Sequence, residues 1–213
     1  MTCGGKTFRR LDAQFDCPPI DTNSLEETGR LQFFYHSPDS PLPVRDVLNK
    51  HGKGPKKEPH LEKSAENYCV PCLQSNIRGF LKSKEKYLFL LTRRSGVSGD
   101  RERYIVGYLM KKRALPRSRR NEKGKIEHHW AVQGPITLVS FGHALPLNDL
   151  SGMTKASARR GTKRLDMKQT REVLAHLSGR PNIFRACLRE VRRLNRIFAD
   201  RGRDASCHDT RRN

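Results

Sequence analysis

The sequence predicts an α+β protein, with a small twisted β-sheet or barrel in mid-chain followed by a basic helical extension. Three observations carry this. Two apolar runs of strand length, Tyr87–Thr92 and Tyr104–Met110, flank a polar, glycine-bearing segment. Beyond Ser151 the apolar residues change from runs to helical spacing. The charge is lopsided: Lys and Arg number 43 against 22 Asp and Glu, a net +21. Met1–Lys50 is nearly neutral with six basic and seven acidic residues, so the rest carries about +22.

Taken in order, Met1–Gly29 shows little periodicity and reads as a loosely packed arm. Leu31–His36 is rich in strand-favouring aromatics and stops at Ser37–Pro43, where three prolines prevent continued pairing. Arg45–Lys50 is expected to form a turn or two of helix, and the Gly/Pro/Lys segment His51–His60 an exposed loop. Tyr87–Thr92 and Tyr104–Met110 make an antiparallel hairpin with a long tip at Arg93–Arg103, and Gly107 marks a bulge or a close backbone approach. A further hairpin-like pair is expected from Trp130–Gln133 and Ile136–Phe141, joined through Gly134 and Pro135. Several short strands so closely spaced suggest a small sheet or barrel.

In the last third, Asp166 and Gln169 have capping-box spacing, and Val173, Leu174 and Leu177 share a helical face that Ser178 and Gly179 end. Pro181 is expected to open a second helix reaching Asp200. Its apolar positions are Phe184, Cys187, Leu188, Val191, Leu194 and Phe198, with Arg185, Arg189, Arg192, Arg193 and Arg196 on the remainder. The tail beyond is expected to fray. The chain thus divides into an arm over 1–66, a β-core over 67–150 and a helical extension over 151–213.

Such an excess of positive charge calls for a polyanion. Lys111–Lys125, read as a loop between strands, holds eight basic residues and one acidic; Ser151–Asn213 holds 17 basic, 14 of them Arg, and six acidic. Arginine's planar fork suits phosphates and base edges. The expected phosphate-binding residues are Lys111, Lys112, Arg113, Arg117, Arg119 and Arg120 in the loop. Arg93 and Arg94 at the hairpin tip and Arg159 and Arg160 in the extension complete the set. RNA or DNA is the expected partner, with an acidic protein docked on the second helix as the alternative.

Other classes fit less well. No apolar run approaches the roughly 20 residues that span a bilayer, and the N-terminus lacks a secretory apolar segment. The six cysteines then read as thiols of a reducing, cytoplasmic compartment. Cys69 and Cys72 make half a zinc site without a second Cys pair; His128 and His129 lie more than fifty residues on and, being adjacent on a strand, on opposite faces. No cofactor or metal is expected. Gly4–Thr7 lacks the first glycine and the strand of a phosphate-binding loop, and no nucleophile elbow is present. A nuclease or a nucleic-acid modification component remains the enzymatic alternative.

Reading a base needs aromatics and amides rather than arginine clusters. Asn76, Arg78, Tyr87, Tyr104, Trp130 and His143 bracket the β-core, and Trp130, the only Trp, either fills the core or stacks on a flipped base. The stretches Cys72–Arg78, Tyr87–Leu91 and Arg103–Leu109, with Ile77-Arg78 before one strand and Ile105-Val106-Gly107 within the next, resemble the opening of a PUA-like domain. That superfamily includes the EVE, ASCH and YTH domains and the nucleotide-modification-associated domains. The resemblance covers Tyr68–Phe141, about a third of the chain. It implies a small β-barrel flanked by helices that binds RNA or DNA and, in some members, reads a modified base. For this chain it implies Asn76 and Arg78 at the pocket rim, with Trp130 lining the pocket.

Overall fold

A computed structural model describes residues 20–34, 36–44, 62–63, 68–71, 79–80, 82–94, 102–120, 126–153 and 162–209. The α+β class is borne out: among the described residues there are two sheets and two α-helices. The larger sheet contains β1 (Glu26–Phe33), β4 (Glu85–Arg93), β5 (Arg103–Met110), β8 (Ile136–Leu138), β9 (Leu145–Pro146) and β10 (Thr162–Leu165). Its order is β10-β1-β4-β5-β8, with β9 also paired to β5. Only β1 and β4 run parallel. The described strands form an open path rather than a closed barrel. Strands come from all three sequence segments, so the N-terminal arm supplies an interior strand, β1.

β4 explains the cohesion of this sheet. Leu88–Thr92 are all buried, so the continuous apolar run is covered on both faces, as its lack of alternation requires. Each fully buried Leu or Phe of that run contributes about 1.5–3 kcal/mol. The β4–β5 hairpin forms as expected, and its register slips between Leu90↔Gly107 and Leu91↔Ile105. A Cβ on Gly107 would lie 2.1 Å from the Thr137 carbonyl, so Gly107 serves both a bulge and a close strand approach.

The expected Trp130–Phe141 hairpin does not form. Ile126–Gly134 (β7) pairs with Arg113–Arg120 (β6) and Tyr68–Pro71 (β3), in a second sheet of order β2-β3-β7-β6 whose first strand is Glu62–Lys63. β8 pairs instead with β5. Gly134 and Pro135 are therefore a crossing from one sheet to the other, not a turn. β5 continues through Lys111 and Lys112 into β6 just as β7 continues into β8, making one long ribbon. Its pairing shifts by one residue between Leu109↔Ile136 and Arg113↔Gln133. The Met110 amide donates to the Pro135 carbonyl at this junction, and a Cβ on Gly134 would fall 1.7 Å from the Met110 carbonyl oxygen.

The helices follow the sequence closely. α1 (Met167–Leu177) has both capping-box bonds between Asp166 and Gln169, buries Val173 and Leu177, and ends before Gly179 at φ 72°. α2 runs Phe184–Asp209, longer than expected, passing through Gly202 with no proline to stop it. Phe184, Cys187, Val191 and Leu194 are buried. Asn182 joins α2 to the sheet: its side chain accepts from the Leu138 and Phe184 amides and donates to the Ile136 carbonyl. That covers part of the β8 edge while satisfying the helix start.

Candidate functional site

Side chains at the β1–β4–β5 end farthest from Met110 form one cluster. Arg93 and Arg103 are cross-strand partners where the hairpin tip leaves the sheet. The Arg94 guanidinium lies 5.8 Å from the Phe141 ring centroid, and that of Arg103 lies 5.1 Å from the Phe33 ring. Phe141 meets Tyr104 edge-on at 5.8 Å and His36 at 5.1 Å. Arg93 and Arg94 are exposed, whereas Phe33, Tyr104 and Phe141 are half-buried. Glu102 is the acidic neighbour; its carboxylate accepts from Asn148 at 3.1 Å and from the Tyr104 hydroxyl at 3.5 Å. Arginines held against ring faces, at the surface, are suited to planar anionic ligands.

His36 closes the inner side of this cluster. It is buried, its Nε2 lies 2.8 Å from the Leu42 carbonyl oxygen, and burial pushes its pKa below the ordinary 6.5, with the nearby Arg94 charge acting in the same direction. Neutral His36 therefore tolerates the surface Arg94 beside it. The same loop reaches α2, where Arg193 donates to the Asp39 carbonyl at 2.9 Å and pairs with Glu190 at 2.7 Å.

α2 presents a second basic surface. Arg185, Arg189, Arg192 and Arg196 are exposed and follow i, i+4, i+7, i+11, one straight row opposite the buried face. Among the described residues no carboxylate pairs with any of the four. Each neighbouring like-charge pair costs about 0.2–0.5 kcal/mol, and Arg185 in the first turn opposes the helix dipole. The helix keeps this row against its own stability.

Lys111 is corrected from the expected phosphate set. It is only 1% exposed; its ammonium donates to the Phe80 and Ser83 carbonyls and stands 4.5 Å from the Phe80 ring centroid. It ties the turn before β4 into the core. A basic run in sequence gave no sign that its first member points inward. Beside it, Glu85 accepts from Arg30 and Ser83 at 2.8 Å. Its second oxygen lies 3.1 Å from the exposed Arg164, off the direction of a hydrogen bond. Arg30 and Arg164 are direct partners on β1 and β10, so one buried carboxylate separates two guanidiniums.

The remaining expected residues disperse. Lys112 is exposed at the ribbon junction. Arg113, Arg117, Arg119 and Arg120 belong to β6 and not to a loop, paired with Gln133, His129, Glu127 and Ile126. Arg113, Arg117 and Arg119 stand out of step with Ala114, the partner of the fully buried Val132. Trp130 stands in step with Val132, opposite Pro116. Tyr104 lies near the start of β5, whereas Trp130 belongs to β7 of the second sheet. Tyr87 is buried near that other end, opposite Met110, and packs on Phe89 and Tyr108. His143 is half-buried with Nδ1 3.2 Å from the Ser140 hydroxyl. Asn76, Arg78, Arg159 and Arg160 lie outside the described residues, as does Cys72.

Sequence reading missed Phe33, Arg103 and Phe141 as members of the cluster. The available signal was positional: Arg93 and Arg103 flank the hairpin tip symmetrically, so a hairpin must bring them together. Among the described residues no group of three or more His, Cys, Asp or Glu is placed to hold a metal ion. Nor is any described helix long and apolar enough to cross a membrane. Comparison with protein-family models, with curated proteins and with solved structures found no match to this chain.

Proposed function

We propose that this protein binds nucleic acid, gripping phosphates with arginines and offering an unstacked base the aromatic surface at the start of β5. The observation that carries this reading is the pairing of guanidiniums with rings, Arg94 over Phe141 and Arg103 over Phe33, beside exposed Arg93. Phosphate binding needs donors in a charge-rich surface, and base contact needs a flat apolar partner; here the two are interleaved. Exposed Lys112 adds to the positive charge at the ribbon junction, and the sequence of β6 carries four arginines. The PUA-like resemblance adds to the reading: members of that superfamily take RNA or DNA and, in some cases, a modified base. A cytoplasmic setting, in which the cysteines would stay reduced, belongs to the same proposal.

The test is a salt series of binding to single-stranded and duplex RNA and DNA, using the full chain and an Arg93→Gln/Arg94→Gln variant. The wild-type affinity should fall steeply with salt, and the variant should flatten the slope of log K against log salt by about 1.4–1.8, at roughly 0.7–0.9 per lost phosphate contact. Binding that ignores salt, or a slope that the two substitutions leave unchanged, overturns the proposal.

A further inference from the structure

We infer that α2 is a DNA-docking helix whose row Arg185, Arg189, Arg192 and Arg196 enters the major groove of B-form duplex DNA. The inference rests on the nucleic-acid reading above and adds to it the form of the ligand and a second surface. Four arginines on one line span about 16 Å at 1.5 Å per residue, roughly five base pairs at 3.4 Å each. A helix about 10–12 Å across fits the roughly 12 Å wide B-form major groove. The A-form RNA major groove is deep and narrow and excludes it. Arginine is also the side chain whose fork matches guanine O6 and N7 in that groove and the phosphates that border it.

The row is rigidly presented. Phe184, Cys187, Val191 and Leu194 seat the opposite face in the core. Asn182 fixes the start of the helix to β8, and Arg193 fixes its middle to the Asp39 carbonyl. Among the described residues the only carboxylate of the Phe184–Arg196 stretch, Glu190, is taken by Arg193, which stands outside the row. A flexible single strand gains little from four charges on a straight rod, whereas a duplex offers phosphates on an equally stiff path. An acidic protein could satisfy the charge, but nothing about such a partner requires a straight row of planar donors.

The experiment measures binding of the full chain to a 20-base-pair DNA duplex, the RNA duplex of the same sequence, single-stranded DNA and a poly-glutamate peptide. It compares wild type with Arg189→Gln/Arg192→Gln. The variant should bind the DNA duplex about tenfold or more weakly. Its salt slope should shrink by about 1.8. Single-stranded DNA affinity should stay within about threefold, and the melting temperature should hold or rise, since like-charge neighbours are removed. Undiminished duplex binding overturns the inference, as does an equal loss on duplex RNA, or poly-glutamate displacing wild type as readily as DNA does. If the Arg93/Arg94 variant weakens binding while the row variant does not, the helix assignment alone fails. If wild type binds no nucleic acid, both readings fail together.

Discussion

Lys111 places its ammonium between the Phe80 and Ser83 carbonyl oxygens, 2.8 and 2.7 Å away, while Lys112, one residue on, faces solvent. Two adjacent lysines of one basic run thus serve different links of the chain from sequence to function. Lys111 belongs to packing and Lys112 to the surface.

Replacing Lys111 with Met should therefore destabilise the fold by about 1–3 kcal/mol, because the ammonium's two carbonyl bonds are lost and the Ser83 carbonyl is left without that donor, while the Phe80 carbonyl keeps the Ser83 hydroxyl. Lys112→Ala should stay within about 0.5 kcal/mol. Urea unfolding midpoints of the two variants check this, and equal midpoints would show that the Lys111 contacts contribute nothing.

Glu85 separates Arg30 from Arg164, and its removal leaves the buried Arg30 facing a like charge with no carboxylate between. Glu85→Gln should cost about 3–5 kcal/mol. Equilibrium denaturation measures it; Arg164→Gln, at an exposed position, should lose far less.

His36 makes stability depend on pH. Its folded pKa lies below 6.5, so the unfolded chain binds the extra proton more readily. The contribution of neutral His36 is complete above about pH 6.5 and declines as pH falls through the folded pKa. Arg94 is the charged group facing the ring, Phe141 packs edge-on against it, and the Leu42 and Ser40 carbonyls oppose the shift. Unfolding free energies at pH 5 and pH 8 should differ more for wild type than for His36→Gln. An identical difference in both would remove His36 as the cause.

Gly134 is where the ribbon changes sheets, and no side chain fits there. Gly134→Ala should cost about 1–3 kcal/mol by overpacking. Hydrogen exchange should locate the damage, with β6 and β7 amides exchanging faster while β4 amides keep their protection.

The chemical reactivity of Cys187 follows from its burial, which pushes the thiol up to about 12. In the native protein it should resist alkylation at pH 8 and react once urea unfolds the chain, as peptide mass mapping would record. Rapid native labelling would place the thiol at the surface.

Much of the architecture was legible locally. Val173 and Leu177 recur at the period of a helix, Asp166 and Gln169 cap it, and Leu88–Thr92 is apolar at every position, so each pattern names its own element. These signals are short-range and need no knowledge of partners. The partners were not legible. Trp130–Gln133 and Ile136–Phe141 look like two arms of a hairpin, yet a one-residue slip at Gly134 sends them to different sheets, and such a slip leaves no trace in composition. The same holds for Lys111, buried because the turn before β4 offers it two carbonyls, and for Tyr104, which meets Phe141 across 37 residues of chain. The amino-acid sequence by itself determined the α+β class, the surplus of positive charge and the amphipathic period of α2. Tertiary structure alone decided which basic side chains reach solvent and which rings they cover, because burial and ring contact depend on strand register and packing between segments distant along the chain.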